Sequence, residues 1–304
     1  MDHRLPTTIV PQRYDIRFEP DLDAATFTAE ETITLVVDAP VREIQLNAVD
    51  LAIDEVTIRG PHGAEMAGTA TLDAEAERAR LAFPVVLEPG EWRLTIRFRG
   101  TLNDQLHGFY RSTWKDEAGA THVMAATQFE AVDARRALPC WDEPACKAVF
   151  AVTLVVPDGY VAISNTEIVA ETPARPGRRT VRFADTIRMS TYLLAFVIGE
   201  LEATEPAMVG PTALRVWCVP GKRRLAGFAR EVGAFGLRFF EEYYGIPYPG
   251  GKLDLLAIPD FASGAMENLG AITFRETALL VDEATATHGD LERVADVVAH
   301  ELAH

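Results

Sequence analysis

The sequence predicts a mainly β N-terminal region followed by a mixed α and β region. Apolar and polar residues alternate with a period of two through most of the first 200 residues, as in half-buried strands. Beyond them the apolar period lengthens to three and four residues, which is typical of an amphipathic helix. Turn signals rich in Gly and Pro separate the alternating runs. We therefore expect two domains, residues 1–200 and residues 201–304.

The first region contains a series of short strands. Alternation is clearest at Trp92, Leu94, Ile96 and Phe98, and it recurs in three earlier runs: Tyr14 to Phe18, Ile33 to Leu35, and Val56 to Ile58. Turns are predicted at residues 60–63 and 88–91, and later strands at residues 149–156 and 191–198. Regular short strands of this kind predict a domain of packed β-sheets.

The second region opens with a long helix predicted from about Arg223 to Tyr244. Its apolar stripe recurs at three and four residues and consists of Leu225, Phe228, Val232, Phe235 and Phe239. Pro247 and Pro249 follow and are expected to end the helix. Three strands are predicted next, at residues 253–258, 271–274 and 279–281.

A final amphipathic helix closes the chain. Leu291, Val294, Val298 and Leu302 recur at helical spacing, and Asp290 is its predicted N-cap or first-turn acid. This helix carries His300-Glu301-Leu302-Ala303-His304, an H-E-x-x-H zinc-protease signature.

The chemistry of this signature follows from helical spacing. Histidines four residues apart project from one face, so His300 and His304 can reach one metal ion. Glu301 points toward the open side of the metal, where a general base for water is needed. A hydrolytic zinc site uses three protein ligands and a water, and no residue of this chain follows His304. We therefore expect weak zinc binding and no catalytic activity from the 304-residue polypeptide alone.

A second motif, Gly264-Ala265-Met266-Glu267-Asn268, lies upstream between two predicted strands. By itself it could be a surface loop with a solvated glutamate. Together with H-E-x-x-H it resembles the G-A-M-E-N exopeptidase signature of the M1 family of zinc aminopeptidases. The resemblance extends to Thr127-Gln128-Phe129-Glu130 and to Pro139-Cys140-Trp141-Asp142-Glu143-Pro144, and Ile258-Pro259-Asp260-Phe261 is similar to members of the puromycin-sensitive type.

The resemblance runs from near residue 5 to residue 304 and implies a fold. It makes the β region the family's saddle-shaped N-terminal domain. The region after residue 200 would be the first half of a thermolysin-like catalytic domain, ending in the zinc-binding helix. The family's third zinc ligand is a glutamate on the next helix, and its transition-state tyrosine lies further on. Neither can be assigned to a residue of this chain.

The same resemblance implies roles in substrate binding. Glu267 and Glu130 would hold the α-ammonium of a peptide, with Gln128 beside them; two close carboxylates are tolerable where a cation neutralises them. Gly264 and Ala265 match positions whose backbone pairs with the substrate as an added strand. Met266 would line the pocket or the core, and Asn268 would hold the turn. Alternatives remain for two residues: Glu130 could pair with Arg135 or Arg136, and Gln128 could be structural.

Composition restricts the class of protein. The net charge of −16 and pI near 4.9 argue against nucleic acid or an anionic membrane surface as a partner. The N-terminus lacks the apolar core of a signal peptide, and no apolar run is long enough to span a bilayer. Cys140, Cys146 and Cys218 show no disulfide or zinc spacing, so we expect them to be reduced and buried. These features predict a cytoplasmic enzyme of unspecified oligomeric state.

The sequence therefore predicts a zinc metalloaminopeptidase that removes residues from peptides with a free N-terminus. The main alternative is a non-catalytic protein-binding fragment derived from an M1 aminopeptidase. Non-catalytic relatives usually lose both motifs, and both are intact here. An epoxide-opening relative would share the zinc site but usually departs from G-A-M-E-N and lacks a glutamate at the position of Glu130.

Overall fold

The computed structural model describes residues 4–61, 63 and 65–304. Residues 1–3 and His62 of the predicted turn at residues 60–63 lie outside the described residues. Strands account for 49% of the residues and helices for 16%, which confirms the mainly β fold class. Among the described residues, no helix is both long and apolar enough to cross a bilayer.

The strands of the N-terminal region are β1 Ile9–Asp21, β2 Thr26–Val37, β3 Val41–Asn47, β4 Leu51–Arg59, β5 Glu65–Ala67, β6 Thr69–Asp73, β7 Arg78–Leu87, β8 Gly90–Thr101, β9 Gly108–Lys115, β10 Thr121–Gln128, β11 Val149–Pro157, β12 Val161–Ser164, β13 Ile168–Arg175, β14 Arg178–Phe183 and β15 Phe196–Gly199. The later elements are β16 Glu202–Ala203, β17 Ala207–Val209, β18 Thr212–Cys218, α1 Gly227–Tyr244, β19 Lys252–Ile258, β20 Ala265–Met266, β21 Ala271–Arg275, α2 Glu276–Leu279 and α3 His288–Ala303.

The first core lies between two sheets of the N-terminal region. An eight-stranded sheet has the order β13-β14-β11-β1-β2-β8-β4-β5, and a three-stranded sheet has the order β3-β7-β6. Alternate residues of the long strands point into this core; on β2 they include Phe27, Ile33 and Leu35, and on β8 they include Leu94 and Ile96. The predicted alternation is thus confirmed.

A four-stranded sheet, β12-β15-β10-β9, connects the β region to the rest of the chain. Part of one face packs on the first core, through residues such as Ala125 and Phe196. Alternate residues, such as Ala126 and Val197, contribute to another apolar cluster that also contains residues of β19 and β20. This shared cluster places the end of β10 next to the second region.

The second region is built on a sheet with the order β16-β18-β19-β21-β20, and β17 pairs with β18. Its central strand β19 is buried on both faces. Leu253 and Leu255 face the core formed with α1 and α3, whereas Leu256 and Ile258 face the four-stranded sheet. The two main cores fall on either side of residue 200, and the predicted domain boundary there stays a prediction.

Two predicted strands differ from the structure. Residues 191–193 form a 3-10 turn, in which the amide of Leu194 donates to the carbonyl of Thr191, so this strand is only Phe196–Gly199. The strand predicted at residues 279–281 is absent. Leu279 is the last residue of helix α2, which the amide of Leu280 closes by donating to the carbonyl of Glu276, and residues 280–281 belong to no helix or strand.

The predicted apolar stripe of α1 is buried only in part. Phe228 and Val232 pack against the core of the second region, whereas the later members of the stripe do not. Phe235 and Phe239 are exposed, with 66% and 48% of their surface accessible. The buried face instead carries small residues: a Cβ on Gly233 would lie 3.1 Å from Leu214 and Leu255. Small residues allow the helix to approach the sheet closely, and this decides the rotation of the helix.

The boundaries of α1 differ from the prediction at both ends. The helix begins at Gly227, after a separate 3-10 turn at residues 223–225. It ends at Tyr244, where Gly245 adopts a left-handed conformation with φ of 67°, so glycine rather than proline stops the helix.

The cap of α3 refines the prediction for Asp290. The N-cap is Thr287, whose hydroxyl accepts from the amide of Asp290, while the carboxylate of Asp290 accepts from the amide of Thr287. Asp290 is therefore the first-turn acid of a capping box. The three cysteines are free thiols, and Cys146 is only half-buried.

Candidate active site

The two histidines of the H-E-x-x-H signature lie side by side at the end of α3. Their Nε2 atoms are 3.2 Å apart. Two nitrogens that each lie 2.0–2.1 Å from a tetrahedral zinc ion are separated by about 3.3 Å, so this spacing fits one shared zinc ion. Val294 and Val298 are buried on the same helix and hold it against the second core.

Glu301, which follows His300, points inward from α3. Only 8% of its surface is accessible. Burial, together with the nearby charges of Glu267 and Glu130, raises the pKa of its carboxyl to about 7, and His304 opposes this shift. A bound cation would lower the pKa, because opposite charge favours the carboxylate.

The loop that carries Glu267 lies against α3. The Oε1 atom of Glu267 is 4.0 Å from Nδ1 of His304, and 15% of the Glu267 side chain is accessible. Ala265 and Met266 form β20 at the end of the sheet, paired with β21 in antiparallel orientation. No other described strand pairs with β20, so its second edge is open. This edge is where Gly264 and Ala265 could pair with an extended peptide.

Met266 and Asn268 have structural environments. Met266 is buried in the cluster shared with the four-stranded sheet. Asn268 is also buried; its amide N–H donates to the carbonyl of Met266, and its Nδ2 donates to the hydroxyl of Thr273. These bonds fit the predicted role of Asn268 in holding the turn.

Gln128 and Glu130 lie at the end of β10, on either side of the buried Phe129. Gln128 is 6% exposed, and its Oε1 atom has no hydrogen-bond partner among the described residues. A buried amide oxygen without a partner is costly, so a ligand that donates to it would relieve that cost. The charge of Glu130 raises the pKa of Glu301, so Glu130 is within electrostatic range of the end of α3.

The alternative ion pairs proposed for Glu130 are absent. Arg135 donates to Asp142 and Glu77 instead, at 2.9 Å each. Arg136 pairs with a different set of acids, Asp133, Asp50 and Glu77. Among the described residues, Glu130 has no ion-pair partner, so its exposed carboxylate is free to meet a cation.

Tyr192 is a residue of the site that the sequence did not suggest. It was predicted as the start of a buried strand, but it lies in the 3-10 turn at residues 191–193. Its pKa is raised by burial and by the charges of Glu267 and Glu130, so its hydroxyl is within electrostatic range of both acids. No sequence signal identifies it, because long-range contacts fix the turn in place: the hydroxyl of Ser190 donates to the carbonyl of Pro144, and that of Thr191 to the carbonyl of Trp141.

The described residues contain no group of three or more His, Cys, Asp or Glu side chains arranged to hold a metal ion. Of the residues predicted for the site, the structure places His300 beside His304 and Glu267 beside His304, and the charges of Glu267 and Glu130 act on Glu301.

Comparison with known proteins identifies the family of this chain. A model of the Peptidase M1 N-terminal domain matches residues 10–193, and a model of the Peptidase family M1 domain matches residues 228–304. The chain belongs to peptidase family M1. This confirms the family that the two motifs predicted.

Curated members of the M1 family match the chain over nearly its whole length. Aminopeptidase M1-C of Oryza sativa subsp. japonica is 46% identical over 303 residues, and Aminopeptidase M1 of Arabidopsis thaliana is 46% identical over 305. The Puromycin-sensitive aminopeptidase of Caenorhabditis elegans is 40% identical over 303 residues. Each alignment covers 99% of this M1 chain but 34%, 34% and 32% of the respective relative, so the chain spans about a third of their length.

Proposed function

We propose that this chain supplies the zinc-binding histidines, the general base and the ammonium-binding acids of an M1 aminopeptidase that acts on peptides with a free N-terminus. The observation that carries the proposal is the convergence of three separate segments. The end of β10, the loop before β21 and the end of α3 together present three carboxylates beside two histidines spaced for one metal ion. The curated relatives named above are aminopeptidases.

His300 and His304 would hold the zinc ion. When bound, zinc would supply Lewis-acid polarisation of the scissile carbonyl. Glu301 would accept the proton of the attacking water on its carboxylate and later donate it to the leaving amine. Because Glu301 is buried next to His300 in the same helix, its carboxyl would lie close to the metal for both proton transfers.

Glu267 and Glu130 would bind the α-ammonium of the substrate. A cation between them would offset the repulsion that their charges exert on Glu301. Gln128 would add a hydrogen bond through its unpartnered Oε1 atom, and the open edge of β20 would align the peptide backbone. Binding at the ammonium sets the register of cleavage one residue from the N-terminus. A cytoplasmic location stays a prediction.

Zinc binding tests the metal part of the proposal. We expect the 304-residue polypeptide to bind one zinc ion weakly, measured by competition with a chromogenic chelator, because two histidines form an incomplete ligand set. His304→Ala should abolish this binding, whereas His288→Ala, at the other end of α3, should leave it unchanged. Equal binding by all three proteins would refute the assignment.

Ammonium recognition tests the aminopeptidase part. We expect leucinamide to bind more tightly than 4-methylpentanamide, its analogue without the amino group, when both are titrated by NMR. Glu267→Gln should remove this preference, because it removes one of the two anions that face the ammonium. The wild-type 304-residue polypeptide should not hydrolyse leucine 4-nitroanilide. Release of 4-nitroaniline that a chelator stops would show that this expectation of inactivity is wrong.

The non-catalytic alternative predicts the opposite pattern. A protein-binding fragment would need neither zinc nor a preference for the amino group. If the wild-type polypeptide neither bound zinc nor preferred leucinamide, the non-catalytic alternative would be favoured.

A further inference from the structure

The loop that carries Glu267 is attached to the N-terminal region at both of its ends. The first attachment is Asp260, seven residues before Glu267. Its Oδ2 atom accepts from the amide of Thr113 at 2.8 Å, and its own amide donates to the hydroxyl of Ser112 at 3.0 Å. The buried hydroxyl of Tyr110 donates to the carbonyl of Asp260 at 3.0 Å. All three partners belong to β9.

The second attachment is Asn165, which follows β12 and is 4% exposed. Its Nδ2 donates at 2.8 Å to the carbonyl of Leu269, two residues after Glu267, and at 2.8 Å to the carbonyl of Leu193. Its Oδ1 accepts from the amide of Ala195 at 2.9 Å. Every hydrogen-bonding group of this side-chain amide is thus used within the protein.

The backbone repeats the contact at Asn165. Gly270 has φ of 75°, and a Cβ at this position would lie 2.0 Å from the carbonyl oxygen of Asn165. Only glycine allows this approach. The end of the loop therefore contacts Asn165 twice: Gly270 packs on its backbone carbonyl, and Leu269 accepts a hydrogen bond from its side chain.

Both attachments lead to the four-stranded sheet that carries Gln128 and Glu130. Strand β9, which holds Asp260, pairs along its whole length with β10. Asn165 follows β12, which pairs with β15, and β15 pairs with β10. Glu130 and Glu267 are far apart in the sequence, but the same four-stranded sheet fixes the positions of both proposed ammonium-binding acids.

We propose that Asn165 and Asp260 are positioning residues that fix Glu267 relative to Glu130, so that the two carboxylates stay at the spacing an α-ammonium needs. This inference rests on the proposed function. Neither residue touches the substrate; each acts by holding the loop. A displacement of about 1 Å at such a site can cost up to about a hundredfold in reaction rate, so the attachments have a direct effect on function.

The test uses Asn165→Ala, with Thr166→Ala as the matched control. The hydroxyl of Thr166 donates to the carbonyl of Ala184 and makes no hydrogen bond to the described residues of the loop. We expect Asn165→Ala to increase amide hydrogen exchange at residues 264–270 and to weaken leucinamide binding by at least about tenfold. Binding of 4-methylpentanamide should stay within about twofold, because that ligand does not use the acid pair. Thr166→Ala should change none of these quantities.

A second variant covers the case in which Asn165→Ala does not fold. Ser112→Ala removes a buried hydroxyl that bonds to Asp260 and leaves almost no cavity. We expect it to show the same selective loss of leucinamide binding and the same increase in loop exchange.

The outcomes separate this inference from the proposed function. Unchanged exchange in the loop of a folded variant would overturn the positioning role, and so would increased exchange with unchanged leucinamide binding. If the wild-type polypeptide shows no preference for leucinamide over its analogue, the proposed function fails, and the role of Asn165 in positioning for an ammonium fails with it. Loop exchange would still report whether the attachment exists.

Discussion

Glu31 is a carboxylic acid in the middle of the first core. It lies on β2 on the face that carries Phe27, Ala29 and Ile33, and none of its surface is accessible. Both carboxyl oxygens lack a hydrogen-bond partner among the described residues. Burial raises the pKa of this carboxyl well above its usual value. The titratable groups that sense its charge are Tyr14 and Cys140, neither of which is a cation at neutral pH.

The sign of the effect on stability follows from proton binding. Above about pH 4.3 the unfolded chain has released the proton of Glu31, whereas the folded protein still holds it. The unfolded state then binds fewer protons, so the free energy of unfolding falls as pH rises. The slope is up to about 1.4 kcal/mol per pH unit, until pH reaches the folded-state pKa.

The perturbation is Glu31→Gln, which keeps the size of the side chain but cannot ionise. We expect its stability relative to wild type to increase steadily from pH 5 to pH 7. Glu31→Leu should add a further gain of about 1–3 kcal/mol, because it also removes the unpartnered polar atoms. Urea unfolding followed by far-UV circular dichroism at pH 5, 6 and 7 measures these differences.

The control is Glu30→Gln on the opposite face of β2, where the carboxylate accepts from Arg97 at 2.6 Å in solvent. It should shift stability only slightly and without the same trend in pH. Parallel stability curves for wild type and Glu31→Gln across this range would refute the argument, because they would mean that Glu31 ionises alike in the folded and unfolded chains.

Three further predictions follow from single contacts. Thr287→Ala should lower the free energy of unfolding by about 1 kcal/mol, because it removes the N-cap of α3; an unchanged urea midpoint would contradict this. Gly270→Ala should fail to give a folded loop, measured by exchange at residues 264–270, because its Cβ would overlap the backbone of Asn165, whereas Gly251→Ala, which has open space, should be tolerated. A chimera in which this chain replaces the matching part of Arabidopsis aminopeptidase M1 should hydrolyse leucine 4-nitroanilide, and Glu301→Gln should lower kcat by at least about a hundredfold; equal rates would exclude Glu301 as the base.

Local patterns of the sequence were sufficient for most strands and for the zinc helix. Period-two alternation at residues 92–98 and helical spacing at residues 291–302 both match the structure. These patterns succeed because the side-chain period of a strand or helix is set by its own backbone. They failed at α1, where the large side chains Phe235 and Phe239 face solvent and Gly233 faces the core. Which face of a helix is buried depends on the shape of the sheet it packs on.

Local motifs were enough to predict the chemistry of the proposed site: an H-E-x-x-H helix, a G-A-M-E-N loop and acids of the type that an α-ammonium requires. Three features became visible in the folded chain alone. Arg135 pairs with Asp142 and not with Glu130, the charges of Glu130 and Glu267 reach Tyr192, and Asn165 and Asp260 connect one sheet to the loop. The physical reason is distance along the chain. Residues 128–130, 264–268 and 300–304 come together through strand pairing and shared burial, which no local pattern encodes.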